Sequence, residues 1–209
     1  MNKIEIFNKL NALNTKINNF ELNEIIESLK KDIMLDDIKN TSDRQRTKYC
    51  LSALKKNTKH HINFNGCFID ENNNQMITDT YFLVNLVECD YINGFNKVGE
   101  SEEKAFKNLK REFALYRVYE YTPIKVNVKD VLNSVKMKEE TICFSFVNDD
   151  GVNGIIYFNT QLLKDLIYFL NLQNEETFEL LVKHPLMPAY IVKENGSWGL
   201  ISPVKKNNG

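Results

Sequence analysis

The sequence predicts an α+β protein in which helices lie on one face of antiparallel sheets. In the first forty residues, and again over 101–121, apolar residues recur every three or four positions, which is typical of amphipathic helices. After residue 60 and again after residue 123, apolar and polar residues alternate in short runs separated by Gly, Asn and Pro. Such runs indicate strands joined by tight turns, so helices precede antiparallel meanders in both parts of the chain.

Composition limits the class of protein. The chain has 209 residues, of which 43% are hydrophobic and 26% charged, and its formal net charge is -1. These values suit a globular protein with a substantial core and exclude a disordered one. Because there is no global basic excess, a DNA partner would require cations clustered on one surface. No apolar run is long enough for a signal peptide core or a membrane span, so we expect a cytoplasmic protein without a membrane partner.

Neither a metal centre nor a catalytic site is predicted. The four cysteines are Cys50, Cys67, Cys89 and Cys143. They form no CxxC pair, so we expect reduced and mostly buried thiols, without zinc or disulfides. His60-His61 and the acidic pairs at 36–37 and 149–150 are candidate ligands or bases, but strand entries, helix ends and turns commonly carry such residues. With no phosphate-binding or nucleophile motif, we predict a protein that is not an enzyme and has no cofactor.

Helix and turn signals divide the chain. Asn18-Asn19 separates two predicted N-terminal helices, and Ser101 is the predicted N-cap of the helix over 101–121. That helix ends before Pro123, which is the preferred domain boundary. The predicted units are a helical segment of residues 1–43, a module of residues 44–122 and a module of residues 123–209.

The last module has the most regular pattern. Residues 124–204 predict the order strand, helix, two strands, helix and three strands, with Asn159 as the cap of the second helix. A Gly turn at 149–151 and an Asn-Gly turn at 195–196 connect the hairpins, and Trp198 is expected to be half-buried. A weaker echo of a helix followed by two strands precedes the 101–121 helix.

Several of these features resemble the closing half of the third domain of the bacterial DNA polymerase III β sliding clamp. They are a strand that enters the Asn159-capped helix, the pair Pro188-Ala189, and a tail at 202–205 that is similar to the Met-Pro-Val-Arg-like tail of that family. The opening strand and helix after Pro123 resemble the start of the same domain. The resemblance covers residues 120–205, and it implies a sliding-clamp-like fold with an extra helical N-terminal segment.

A second, looser resemblance covers residues 44–88. The stretch 77–84 is similar to the family motif Ala-Thr-Asp-Gly-X-Arg-Leu-Ala, with Thr78, Asp79 and Leu83 matching. Thr80 stands where the family has Gly, and Phe82 where it has Arg. Residues 1–43 and 101–121 have no counterpart in the resemblance. Frequent Asn, Lys and Ile suggest that the chain is encoded by an AT-rich phage or mobile element.

The resemblance implies that helices face DNA, which predicts duplex DNA as a non-specific partner. Stripes of Lys and Arg would contact phosphates without reading sequence. The predicted DNA-binding residues are Lys55, Lys56, Lys104, Lys107, Lys110, Arg111 and Arg117. The helix near 44–56, which contains Lys55 and Lys56, also carries Arg44, Arg46 and Lys48. Around the helix that follows Pro123 lie Lys125, Lys129 and Lys136. A solvated helix face is the alternative interpretation of any one stripe.

The family also takes short peptides of polymerases and other replication proteins in a shallow apolar pocket. The resemblance places this partner-peptide groove at Thr78, Tyr81, Leu83, Leu200, Ser202, Pro203 and Val204. Ordinary strand packing followed by a tail is the alternative interpretation of these residues.

Three functions remain open from the sequence. The first is a clamp-like, non-catalytic protein of DNA replication, either a processivity factor or a clamp homologue, which would have to oligomerise to encircle DNA. The second is an interaction or inhibitor protein that uses a clamp-derived fold to bind a host protein without binding DNA. The third is a small enzyme with an unrecognised site. The N-terminal helices could serve as an oligomerisation arm or block ring formation.

Overall fold

A computed structural model describes residues 3–14, 16, 19–36, 38, 40–57, 66–92, 94–95, 97–116, 121–147, 151 and 153–205. The helices are α1 (Lys3–Asn14), α2 (Phe20–Asp36), α3 (Thr41–Asn57), α4 (Glu100–Tyr116), α5 (Val128–Lys136) and α6 (Thr160–Phe169). The strands are β1 (Phe68–Ile69), β2 (Gln75–Thr78), β3 (Phe82–Leu86), β4 (Thr122–Asn127), β5 (Thr141–Val147), β6 (Asn153–Asn159), β7 (Thr177–Val182), β8 (Ala189–Val192) and β9 (Trp198–Ile201). A short 3-10 helix covers Glu88–Asp90.

The strands form one large sheet and one hairpin. The large sheet has the order β1-β2-β3-β9-β8-β7-β4, and β5 pairs with β6 separately. Every pair of these strands is antiparallel, so the predicted α+β class with antiparallel sheets is confirmed. Strand β3 pairs with β9 with Phe82 opposite Ile201. The sheet is therefore continuous across the division predicted between residues 44–122 and 123–209, and that division stays a prediction.

A helix followed by three antiparallel strands occurs twice in the chain. The first unit is α3-β1-β2-β3, and the second is α6-β7-β8-β9. Their last strands, β3 and β9, are hydrogen-bonded neighbours, and their helices pack against each other. The two units therefore meet edge to edge in one sheet, with both helices on the same face.

Pro123 lies inside β4, at the outer edge of the sheet. The N–H of Val128 donates to Glu176 O, and Asn127 pairs with Thr177. Because backbone groups alternate in direction along an antiparallel strand, Pro123 and Lys125 point their backbone groups away from β7. A proline there interrupts no ladder bond, and a lysine discourages pairing with another strand.

The main core lies between the sheet and the helices α3, α5 and α6. Leu54, Val131 and Leu166 from these three helices share one buried cluster with Val84 and Ile191 of the sheet. This arrangement puts three helices on one face of the sheet. We call the solvent-exposed side of α3, α5 and α6 the helix face.

Helix α4 lies on the opposite face of the sheet. Its Phe106 is fully buried in a second cluster with Phe68, Met76, Leu83 and Leu200. Since alternate residues of a strand point to opposite faces, Leu83 faces α4 whereas its neighbour Val84 faces the main core. The sheet is therefore covered on both faces around β3 and β9.

Local signals in the sequence located several helix ends. Asn159 Oδ1 accepts from Leu162 N–H at 3.0 Å, which confirms the predicted cap of α6. Asn19 Oδ1 accepts from Glu21 N–H at 3.0 Å at the start of α2. The prediction for Ser101 was wrong, because α4 begins at Glu100 and Glu103 N–H already donates to Gly99 O.

Two further expectations need correction. Tyr121 is not helical, so α4 ends before the predicted residue 121. Trp198 is buried rather than half-buried, with 8% of its surface exposed, because it packs with Tyr190 in the cluster beneath α4. The predicted strand at 62–70 is described only from residue 66 onward, and its regular part is β1.

We expect Gly199→Ala to destabilise the fold by roughly 1–3 kcal/mol, the usual cost of overpacking a core. A Cβ atom there would lie 2.6 Å from Leu166 Cδ1 and 2.8 Å from Leu170 Cδ1, because α6 crosses the sheet at this point. Urea unfolding measures the change. Gly99→Ala is the control, since its Cβ would meet only the flexible carboxylate of Glu102; as the residue before α4 it should lose no more than about 1 kcal/mol. Equal stability of the two variants would show that α6 does not depend on this close approach.

Candidate functional site

The predicted DNA-binding residues lie on opposite faces of the sheet. Lys55 and Lys56 are exposed in the last turn of α3, on the helix face. The cations at 104, 107, 110 and 111 belong to α4, on the other face, and Arg117 lies outside the described residues. A straight duplex lying on one face of the sheet would therefore contact only one of these two sets.

Part of the α4 set is engaged in ion pairs. Lys110 Nζ lies 2.8 Å from Asp70 Oδ2 and 2.7 Å from Glu71 Oε1. Burial alone would raise the pKa of Asp70, but hydrogen bonds from Lys110 and Asn74 outweigh it and lower that pKa. Lys107 lies 3.7 Å from Glu103 Oε2. Lys110 thus ties α4 to the turn after β1, which is a structural role.

Arg46 was wrongly assigned to the DNA-facing stripe. It is buried, with 5% of its surface exposed. Its guanidinium donates to the main-chain oxygens of Tyr168, Phe169 and Asp90. The last carbonyls of a helix lack intrahelical partners and carry partial negative charge, so this arginine closes the C-terminus of α6. The sequence correctly predicted that Arg46 lies in a helix, but its periodicity did not show that Arg46 is on the buried side of that helix.

The helix face carries further cations from all three helices. Lys48 of α3 is exposed, as are Lys129 and Lys136 of α5, which stand seven residues apart on its outer side. Lys164 of α6 lies with its Nζ 4.9 Å from the ring centre of Tyr49. The sequence did not indicate Lys164, because it is a single lysine in a largely apolar helix and belongs to no periodic series of cations. The packing of α3 on α6 brings Lys164 to the same surface as the lysines of α3.

The predicted partner-peptide groove is only partly open. Leu83 and Leu200 are fully buried in the cluster under α4, and Thr78 is buried in the β2–β3 turn. Tyr81 is 53% exposed, and Ser202, Pro203 and Val204 are half-buried. Phe106 of α4 covers the apolar floor, so the accessible part of the set is Tyr81 with the C-terminal tail.

That tail is held at two points. Ser202 N–H donates to Tyr81 O at 2.8 Å, and Val204 N–H donates to Tyr157 O at 2.7 Å. The first bond joins the tail to the β2–β3 turn, and the second joins it to β6. The tail therefore connects the large sheet to the separate hairpin.

The β2–β3 turn contains a strained residue. Thr80 has a φ of 82°, in the left-handed region that β-branched residues avoid. Asp79 Oδ1 accepts from the N–H groups of Tyr81 and Phe82, at 2.9 and 2.8 Å, and holds the turn in place. The motif that the sequence resembles has Gly where Thr80 stands, and the positive φ gives the physical reason for a glycine there.

A buried polar cluster joins this turn to α3 and α6. The Asn57 amide donates to Asp79 Oδ2 and Asp165 Oδ2, both at 3.0 Å. Asp165 Oδ1 also accepts from Tyr49 Oη at 2.6 Å and Gln161 Nε2 at 2.7 Å. The resemblance marked Asp79 in the sequence, but nothing in the sequence predicted its partners, because they come from helices far along the chain.

Burial changes the ionisation of this cluster. It raises the pKa of Asp79 to about 6, although hydrogen bonds from Phe82, Tyr81 and Asn57 oppose the change. Burial, reinforced by the Asp165 carboxylate, also raises the pKa of Tyr49. The Tyr49 hydroxyl therefore stays protonated and serves as a donor.

The remaining candidate ligands do not converge. In the described part of the chain, no three His, Cys, Asp or Glu residues are placed to hold a metal ion, and no helix there is both long and apolar enough to cross a membrane. Cys50 and Cys67 are buried thiols, whereas Cys89 and Cys143 are exposed, so two of the four depart from the expected burial. His60-His61 and residues 149–150 lie outside the described residues.

Comparison with known proteins gives matches among solved structures. No protein-family model and no curated protein matches the chain. The β subunit of DNA polymerase III from Thermotoga maritima is similar with a TM-score of 0.46 and 14% identity, over 77% of this chain and 64% of that chain. The Helicobacter pylori β clamp bound to a DNA ligase peptide gives 0.44 and 14%, over 75% and 63%. The β subunit from the DNA polymerase of Streptococcus pyogenes gives 0.41 and 12%, over 77% and 64%.

The chain thus spans less than two thirds of the length of these clamp structures. They are bacterial sliding clamps, the kind of protein that the sequence motifs resemble.

We expect Thr80→Gly to stabilise the protein by about 1 kcal/mol. Removing the strain of the left-handed backbone should stabilise the folded state by roughly 1–2 kcal/mol. The greater conformational freedom of glycine in the unfolded chain offsets part of this gain. Denaturant unfolding measures the gain. Thr141→Gly in β5 is the control and should lose stability. Glycine there increases the entropy of the unfolded chain, and Thr141 has no left-handed backbone for it to relieve. A loss at both positions would mean that Thr80 is unstrained in solution.

Asp79 should make stability depend on pH. Its folded pKa of about 6 exceeds the unfolded value of about 3.9, so the folded state holds its proton more tightly. Its contribution is therefore largest below about pH 4 and is lost as pH rises through 6, by at most about 3 kcal/mol. Unfolding free energies at pH 4, 5, 6 and 7 for the wild type and Asp79→Asn test this. Parallel pH profiles of the two proteins would contradict it.

Proposed function

We propose that the chain is a non-catalytic clamp homologue that acts in DNA replication in the cytoplasm. The observation that carries the proposal is the pair of helix–three-strand units, joined through β3 and β9 with their helices packed on one face. A sheet backed by a helical layer is the arrangement that the sequence resemblance implies. The chain's motifs at 77–84 and 188–205 support it independently of the geometry.

The proposed DNA-binding surface is the helix face. It presents the predicted Lys55 and Lys56 together with the exposed Lys48, Lys129 and Lys136. These cations come from two helices that flank α6, so they form a surface rather than a single stripe. Side chains of this kind neutralise phosphates and do not read bases, so binding is non-specific and weakens with salt. The cations of α4 lie on the opposite face of the sheet, so we do not include them in the DNA-binding surface.

The proposed partners at the C-terminus are short peptides of polymerases or other replication proteins. The accessible part of the groove is Tyr81 with Pro203 and Val204, since α4 covers Leu83 and Leu200. An exposed tyrosine beside a proline offers apolar area with a polar end, which suits peptide anchoring. Several copies of the chain would be required to encircle a duplex, so we also propose a homo-oligomer.

One observation favours a second function. Helix α4 closes the apolar floor of the groove and lies on the face where the clamp resemblance leaves the sheet bare. A clamp-derived protein modified in this way would suit an interaction or inhibitor protein that binds a host factor without binding DNA. Native mass separates the two, because a ring requires an oligomer and an inhibitor does not.

The test of the proposed function is the salt dependence of DNA binding. We expect the double variant Lys55→Gln, Lys56→Gln to flatten the log–log salt slope on duplex DNA by about two units, at about 0.9 for each phosphate that is no longer neutralised. Affinity should fall equally on two unrelated duplexes. The matched control is Lys104→Gln with Arg111→Gln, which removes the same charge from the opposite face and should leave the slope unchanged.

Either of two results would reject this assignment. A slope that changes only in the α4 double variant would move the DNA to the other face of the sheet. A wild-type protein that is monomeric and binds no duplex at low salt would remove the clamp function and leave the interaction protein.

A further inference from the structure

Helix α2 places acidic groups on cations of α3. Glu24 Oε1 lies 3.8 Å from Lys55 Nζ, and Asp36 Oδ1 lies 3.1 Å from the Arg44 guanidinium. The early acid of α2 meets the late cation of α3, and the late acid meets the early cation, so the two helices run antiparallel. Twelve residues separate Glu24 from Asp36, which corresponds to about 18 Å of helix. The acidic contacts therefore stand at both ends of α3.

The contact of α2 with the rest of the protein is separate from the two cores. Ile26 and Leu35 are buried, with 6% and 1% of their surfaces exposed. Neither belongs to the main cluster or to the cluster under α4, as far as the described residues go. The outer side of α2 carries Leu22, Ile25 and Leu29, each about half exposed. Helix α2 thus packs on α3 outside both clusters, and its displacement would expose Ile26 and Leu35.

The strength of these ion pairs suits displacement. All four side chains are substantially exposed, between 42% and 77%, and exposed pairs are weak and screened by salt. A duplex offers a dense array of phosphates along its length. Phosphates can therefore replace carboxylates as partners of Lys55 and Arg44, whereas the carboxylates of α2 repel the approaching strand.

We propose that α2 is an acidic cover of the helix face, which competes with DNA for Lys55 and Arg44 and so lowers the affinity for duplex until it is displaced. This inference rests on the proposed DNA-binding function of the helix face. It gives α2 a regulatory role, because α2 would control the access of duplex to that surface. Glu24 and Asp36 act in it as mimics of phosphate.

The experiment measures duplex affinity of the full chain by fluorescence anisotropy at low and high salt. Glu24→Gln and Asp36→Asn should each tighten binding at low salt by about two- to fivefold, the range expected for losing one exposed pair. The gain should vanish at high salt. Glu179→Gln is the matched control, because this exposed residue of β7 lies on the sheet face away from the helix layer and its substitution changes the net charge equally.

A double-mutant cycle shows whether each acid acts through its partner. In a Lys55→Gln background, Glu24→Gln should have no further effect, and in an Arg44→Gln background, Asp36→Asn should have none. Circular dichroism of each variant confirms that α2 remains helical, so that loss of the helix is not mistaken for loss of its charge.

The outcomes separate this inference from the proposed function. If the wild type binds duplex and the α2 variants bind no better than Glu179→Gln, the cover is rejected and the DNA-binding function stands. If the wild type binds weakly and the α2 variants bind well with coupling to Lys55 and Arg44, both are supported. If no form binds duplex at low salt, both are rejected.

Discussion

The arrangement of the helix layer depends on one buried arginine. Arg46 of α3 reaches the last carbonyls of α6 and the main chain of Asp90. Burial lowers the pKa of its guanidinium, because the charged form loses water, and nearby Asp90 partly offsets that loss. The carboxylate of Asp90 in turn accepts from Lys193 at 2.7 Å. A single side chain thereby joins α3, α6 and, through Asp90, the turn between β8 and β9.

This contact connects the two helix–three-strand units at one end, and the Asn57 amide connects them at the other. Asn57 links the β2–β3 turn of the first unit to Asp165 of the second. Both contacts use polar groups that would be costly to bury without partners. Each therefore favours a specific packing of α3 on α6, where apolar contacts alone would tolerate sliding. The helix face owes its shape to this packing, since its lysines project from α3, α5 and α6 together.

The same sheet supports two functional interpretations through its two faces. One face carries the cationic helix layer, with α2 against its edge. The other is covered by α4, whose Phe106 fills the space over Leu83 and Leu200. The surface proposed for DNA therefore lies on one side of the sheet, and α2 and α4 each lie against a different side.

The sequence by itself determined the fold class and many local features. Periodicity identified the helices, and the turn residues located the hairpin after β8. A side chain that bonds to its own neighbours, such as Asn159 at the start of α6, can be predicted because its partner lies three residues away. The family motif also drew attention to Asp79 and to the position of Thr80.

Only the tertiary structure decided which face of the sheet each helix covers. The Lys/Arg stripes of α3 and α4 look alike in sequence, yet they lie on opposite faces of the sheet. Helix α3 packs in the cluster that contains Val84, whereas α4 packs in the cluster that contains Leu83, and these neighbouring side chains point to opposite faces. Periodicity likewise could not separate Arg46, which is buried against carbonyls 122 and 123 residues away, from the exposed Lys48. Contacts between residues so distant in the chain leave no local pattern, since the folded backbone alone brings them together.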